Sequence, residues 1–337
     1  MSQKILPFAD PFITTYPHHA FVLAGLLNHK EIYPYLYSNF IQLCSLKKMP
    51  KPSHWLDFYT PSLLADNLDL ANVSQIDRST IAGLNINIID LLLNAIDNHY
   101  YVFIFLDEFY IPKSPAFQKF RYPHMILIYG YDATEKSFHT AGFFEGGKFS
   151  RSTATFEQVK QAYLEMDAQN NYDNYVVLFQ FHQQTAYHFD VTNVVDLLED
   201  YYFSRDTALK YRPNRNPLPS RFGMNVYKDF IDHIEEVAGR GYFSVHAFQL
   251  LWEHKKCMLL RLDYLEKYGF VTNIKNIYSM YEEIEKKCNI LRSLMIKYDL
   301  TKEKRLLQLM TSYVENIEKD ERKVLELFIP AITQNPR

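Results

Sequence analysis

The side chain best placed for chemistry is His124, which opens the run His124-Met125-Ile126-Leu127-Ile128-Tyr129 inside the segment 119–147. Everything from Met125 to Tyr129 is apolar or aromatic, and Gly130-Tyr131-Asp132 follows. This pattern predicts a strand buried on both faces, a break at the glycine, and a second strand from about Ser137. An imidazole at the end of such a strand stands on a fixed backbone, as a general base requires. The same position also suits a core histidine satisfied by a backbone carbonyl. His18 and His19 follow Pro17 at the start of AFVLAGLLNH. Capping or packing is their default role, because the positive end of a helix dipole disfavours an imidazolium. The histidines at 18, 19, 124 and 139 show no HxxxH or CxxC spacing, so no metal site is expected. Glu253, His254, Cys257 and Arg261 meet at helical spacing, which core packing and a surface ion pair explain. Gly146-Gly147 reads as a turn, and no phosphate loop is present.

The elements that must position these groups fall into two kinds. Pro17 and the small residues Ala20, Ala24 and Gly25 predict a closely packed early helix. KKMPKPSHW reads as a surface loop, INIIDLLLNAIDNHY as a helix, and YYVFIFLDEFYIP as a buried strand from which Asp107, Glu108 and Tyr110 leave on alternating faces. Thr155 is a candidate N-cap for the helix that follows, and NYVVLFQFH reads as a further strand. Three prolines and four arginines in 205–222 indicate a linker or a loop crossing the domain face. Beyond it, four segments repeat apolar residues every three to four positions. They predict amphipathic helices joined at Gly239-Arg240-Gly241, Gly269 and Asp299-Leu300-Thr301. The expected class is α+β: residues 1–190 with an antiparallel sheet, a linker at 191–222, and an all-helical domain over 223–337.

Composition narrows the function classes. A net charge of −3 over 337 residues gives no basic footprint for a nucleic acid partner. No apolar run is long enough to span a bilayer, and the first residues lack a basic, uninterrupted signal pattern, so a cytoplasmic protein without a membrane partner is expected. Cys44, Cys257 and Cys288 are too few and too scattered for a disulfide framework. The 26 tyrosines and 25 phenylalanines suit wet clefts or partner surfaces.

The polar lead into an early helix, LDEFYIP, and then PHMILIYGYDATEKSFH resemble the papain-like fold. More narrowly they are similar to the N-terminal domain of the butirosin-biosynthesis H protein family and to bacterial double-glycine leader peptidases. FGMNVYKDFIDHIEEV and FQLLWEHKKCMLLRLDYL resemble the helical region that accompanies that domain. The resemblance implies that His124 is the general base and that a nucleophilic cysteine belongs near Pro17-His18-His19-Ala20. Ala20 occupies the expected nucleophile position, and no cysteine lies between Met1 and Leu43. The third catalytic group is expected near Thr140-Ala141-Gly142, where no residue can orient an imidazole. Tyr16, His18, His19, Tyr129 and His139 are the expected substrate-binding residues. Two functions are implied. One is amide-forming acyl transfer in specialised-metabolite (nonribosomal peptide or antibiotic) assembly, from an acyl or peptidyl carrier protein to a small-molecule or peptide acceptor, without a cofactor. The other is a papain-like pseudoenzyme that binds a carrier protein or peptide. A cysteine-type peptidase with a replaced nucleophile ranks behind both.

Overall fold

The computed structural model describes residues 2–46, 55–64, 70–166, 174–182, 187–210, 220–240 and 244–333. In chain order the elements are β1 (Gln3–Ile5), α1 (Pro17–Leu26), α2 (Ile32–Asn39), β2 (Leu43–Leu46), β3 (Trp55–Phe58), β4 (Ala71–Asp77), α3 (Arg78–Gly83) and α4 (Ile88–Asp97). There follow β5 (Tyr101–Asp107), β6 (Pro123–Asp132), β7 (Ser137–Phe143), β8 (Phe149–Thr155), α5 (Phe156–Leu164), β9 (Tyr175–Phe181) and α6 (Val191–Phe203). The chain ends in β10 (Ser220–Phe222), α7 (Val226–Arg240), α8 (His246–Lys267), α9 (Lys275–Thr301) and α10 (Arg305–Thr333). An antiparallel sheet region precedes a helical C-terminal region. No helix of the described residues is long and apolar enough to cross a membrane.

The chain divides into two units, 1–32 with 62–186 and 33–61 with 187–337. The expected boundary at 190 is therefore interrupted. Residues 33–61 group with the C-terminal half because β2 pairs with both β3 and β10 in a small antiparallel sheet. Residues 191–203, assigned to a linker, form α6. The rest of that linker at 211–219, like the proline-rich loop at 47–54, lies outside the described residues.

In the first unit the strands run in the order β4-β9-β5-β6-β7-β8, with β1 added against the far half of β6. The central strands are apolar over Tyr101–Leu106 of β5 and Met125–Tyr129 of β6 because both faces are covered. Phe21 of α1 meets Phe103 edge-on at 5.8 Å and Phe149 at 5.8 Å, which fixes α1 on one face. Gly25 sits where a Cβ would stand 3.0 Å from the Phe179 ring, so the helix lies close to the strands. The other face carries α4 and α5, through Tyr131 bonded to Asp97 at 2.8 Å and Phe138 against Phe156 at 4.6 Å. Thr155 caps α5 as expected and completes a capping box: its hydroxyl accepts from the Gln158 N–H at 3.1 Å, and Gln158 Oε1 accepts the Thr155 N–H at 2.8 Å. The strand from His124 does not break at Gly130. It passes through a register shift between Ile128 and Gly130 and continues to Asp132.

The second unit is built around α6 to α10. His254 and Arg261, expected to belong to packing and a surface ion pair, are fully buried on α8. The Arg261 guanidinium donates to the carbonyls of Tyr37 and Phe40 at 2.7 Å each, and His254 Nε2 lies 2.8 Å from the Ile41 carbonyl. Together they satisfy carbonyls at the C-terminal end of α2 that the helix itself leaves open. Asp299–Thr301 belongs to the last turn of α9 rather than to a connection.

Two expectations for stability follow from this packing. Gly223 has φ +57°, and a Cβ there would lie 2.2 Å from the Tyr201 carbonyl oxygen. Gly223→Ala is expected to cost about 2 kcal/mol or more in urea unfolding. A loss below half of that would mean that the segment shifts freely. Burial and the neighbouring Lys255 ammonium hold the His254 imidazole well below its ordinary value. The unfolded chain takes up that proton near pH 6.5 and the folded chain does not. This contribution to stability is therefore complete above about pH 6.5 and declines as the pH falls below it. Midpoint temperatures measured from pH 8 to pH 5 should be level at first and then drop, and a flat profile would contradict a buried neutral His254.

Candidate functional site

The register of β5 and β6 places Leu106 opposite His124 and Asp107 opposite Pro123. Asp107 ends β5 as an anchor. Its Oδ1 accepts from the N–H groups of Phe109 and Tyr122, both at 3.0 Å, and its other oxygen accepts from Arg121. The chain turns here in a short 3-10 segment, and the Glu108 N–H donates to the Tyr122 carbonyl at 2.9 Å. That turn delivers Glu108 to His124. Glu108 Oε1 lies 2.9 Å from His124 Nδ1, and Oε2 accepts a hydrogen bond from the Ser114 hydroxyl. Ser114 is itself fixed, its Oγ accepting the Ala116 N–H at 3.0 Å.

Burial makes the arrangement directional. The Glu108 side chain is 2% exposed and the His124 side chain 23%. A buried carboxylate oxygen facing Nδ1 selects the tautomer that carries its proton on Nδ1, since that nitrogen must donate. Nε2 is then the acceptor. It belongs to a side chain that is 23% exposed. The ring is held by stacking on Tyr122 at 5.2 Å and by the edge of Phe143 at 6.2 Å. A buried carboxylate that orients a partly exposed imidazole is an arrangement suited to moving a proton.

The other expected site residues lie in two further clusters. Tyr16 stacks on His18 at 5.5 Å, and His18 meets His19 at 4.2 Å, at the start of α1. Ala20 is fully buried in that helix, and its N–H donates to the Tyr16 carbonyl at 2.9 Å. Tyr129 and His139 lie 6.0 Å apart, with Tyr129 also 4.6 Å from Phe8. Burial lowers the affinity of His139 for a proton and raises that of the Tyr129 phenolate, so both side chains stay neutral near pH 7. Among the described residues, His124 makes no hydrogen bond or ring contact with 16–20. Phe143 lies 6.2 Å from His124 and 6.3 Å from Phe21, the residue of α1 that follows Ala20.

No cysteine occurs in 1–32 or 62–186. All three thiols are buried in the other unit. Burial pushes Cys44 up to about 11 and Cys257 to about 12, and raises Cys288 as well, so none is a thiolate at neutral pH. The side chain that bonds to the His124 ring is Glu108, with Ser114 behind it, rather than a residue at 140–142. The available signal was the acidic pair Asp107-Glu108 at the end of one buried strand when the next opens with His124, because a hairpin brings those two ends together.

Compared with protein-family models and with curated proteins, the chain matches none.

Proposed function

We propose that the protein transfers an acyl group from a carrier-protein thioester to an amine, with His124 as general base held by Glu108, on a papain-like scaffold without its thiol. The observation that carries this reading is the buried Glu108 carboxylate on Nδ1 of a ring that is itself 23% exposed. The setting, specialised-metabolite assembly of the nonribosomal-peptide kind in the cytoplasm, comes from the resemblance of PHMILIYGYD and its flanks to the butirosin H family.

In this reading the acceptor amine attacks the thioester carbonyl directly. Nε2 takes the amine proton as the C–N bond forms. The tetrahedral species collapses with cleavage of the C–S bond, and the imidazolium returns the proton to the departing thiolate. Atoms and charge balance without an acyl-enzyme, which agrees with alanine at position 20 and with three buried, protonated thiols. Incubation with an acyl-loaded carrier protein and a primary amine is expected to give amide while the mass of the protein stays constant. An acyl adduct on the protein would contradict direct transfer.

A second reading, a pseudoenzyme that binds a carrier protein or peptide, is favoured by the complete burial of Ala20 and by a His124 ring that, among the described residues, bonds to a carboxylate and to no hydroxyl or thiol. It expects carrier binding with no amide formed. A peptidase with a replaced nucleophile has less support, since Ser114 bonds to Glu108 rather than to the imidazole.

A further inference from the structure

A pocket of about 320 Å³ opens in the first unit between α3, the start of α4 and α5. Its walls are Ile81, Ile86, Ile88, Leu164 and Met166, and its two charged lining residues are Arg78 and Lys160. Both are cations, and no acidic side chain is among the described lining residues. Arg78 is fixed in place, with its guanidinium 4.0 Å from the centre of the Tyr163 ring, donating to the carbonyls of Tyr163 at 2.9 Å and of Phe105 and lying 3.6 Å from Met166 Sδ. Lys160 is exposed on the outer turn of α5 and reaches the same opening. Asn87, the N-cap of α4, and Ile88, its first residue, also line the pocket.

The surroundings match a ligand with an apolar body. Leu164 is 64% exposed and Leu84, next to the pocket in the chain, is 66% exposed. Exposed leucines beside an apolar cavity mark a binding surface more often than isolated ones do. The volume is at the lower end of small-molecule sites, which suits a short apolar chain. Apolar walls with two cations among the lining residues call for an apolar tail and an anionic head.

We infer that this pocket binds a single-chain apolar molecule ending in a carboxylate, its tail against Ile81 and Ile88 and its head at Lys160, beside Arg78. The site is independent of the chemistry at His124, because His124 is not among its lining residues.

Calorimetric titration of the intact protein with sodium decanoate tests this. Saturable binding of one decanoate per chain is expected, at least about tenfold tighter than that of decylammonium, with acetate showing none. Lys160→Glu reverses the exposed rim charge and should weaken decanoate about tenfold. Ala82→Trp, at an exposed position of the pocket lining, should abolish binding by filling the space. Far-ultraviolet circular dichroism and the midpoint temperature of unfolding, unchanged in both variants, would show that the fold is kept. Equal affinity for decylammonium, undiminished binding by Ala82→Trp, or binding only to phosphatidylglycerol vesicles and not to decanoate would overturn the inference.

Discussion

Glu321→Ala is expected to lower the unfolding free energy by about 3–5 kcal/mol. Glu321 lies fully buried among α6 to α10 and accepts from Lys255 Nζ at 2.6 and 2.8 Å. It also accepts from the hydroxyls of Tyr201 at 2.9 Å, Tyr227 at 2.6 Å and Tyr281 at 3.3 Å. Burial and the nearby carboxylate hold all three phenols protonated, so each is able to donate. The third Lys255 donor faces the Tyr201 oxygen and His254 Nδ1, both 3.1 Å from Nζ. Every member is paired, and for that reason removing one is costly: the ammonium would stay buried without its counter-charge. Lys255→Met combined with Glu321→Leu should cost clearly less than the sum of the two single changes, because neither charge is then stranded. Urea unfolding measures both. A Glu321→Ala loss under about 1 kcal/mol would mean that water reaches the carboxylate.

The second large effect concerns activity. His124→Ala is expected to lower amide formation about 10²- to 10⁴-fold, the usual share of a positioned base, with KM for the carrier little changed. Glu108→Ala should lower it as well but by less, since the ring would remain on Tyr122 while losing its fixed tautomer. Ser114→Ala removes only the hydroxyl behind Glu108 and should have the smallest effect of the three. Unchanged transfer by His124→Ala would remove the base from the reaction.

Much of this fold was legible because burial imposes a repeat. The helices α7 to α10 show apolar residues every three to four positions, and β5, β6 and β9 are apolar runs because helices cover both faces of their sheet. β4 was missed because it is an edge strand, where ANVSQID needs only one paired side and carries polar residues. The assignment of 33–61 to the second unit depends on β2 pairing with β10, more than 170 residues away, which no local pattern records. The buried ions were hidden for a related reason. Lys255 and Glu321 look like solvated charges on amphipathic helices, and only the tertiary arrangement of five helices turns them inward. In the candidate site His124 was legible from its place at the start of a buried strand. Glu108 was not, because its role arises from a turn that Asp107 holds by bonds to Phe109, Tyr122 and Arg121.

The proposed chemistry rests on which nitrogen of His124 carries the proton. Long-range proton–nitrogen correlation spectra of the uniformly ¹⁵N-labelled protein, recorded where the ring is neutral, report this directly. The expected result is Nδ1–H with a free Nε2 in the native protein, and a mixture of tautomers in Glu108→Ala. A native ring protonated on Nε2, or a spectrum that Glu108→Ala leaves unchanged, would contradict a base oriented by Glu108.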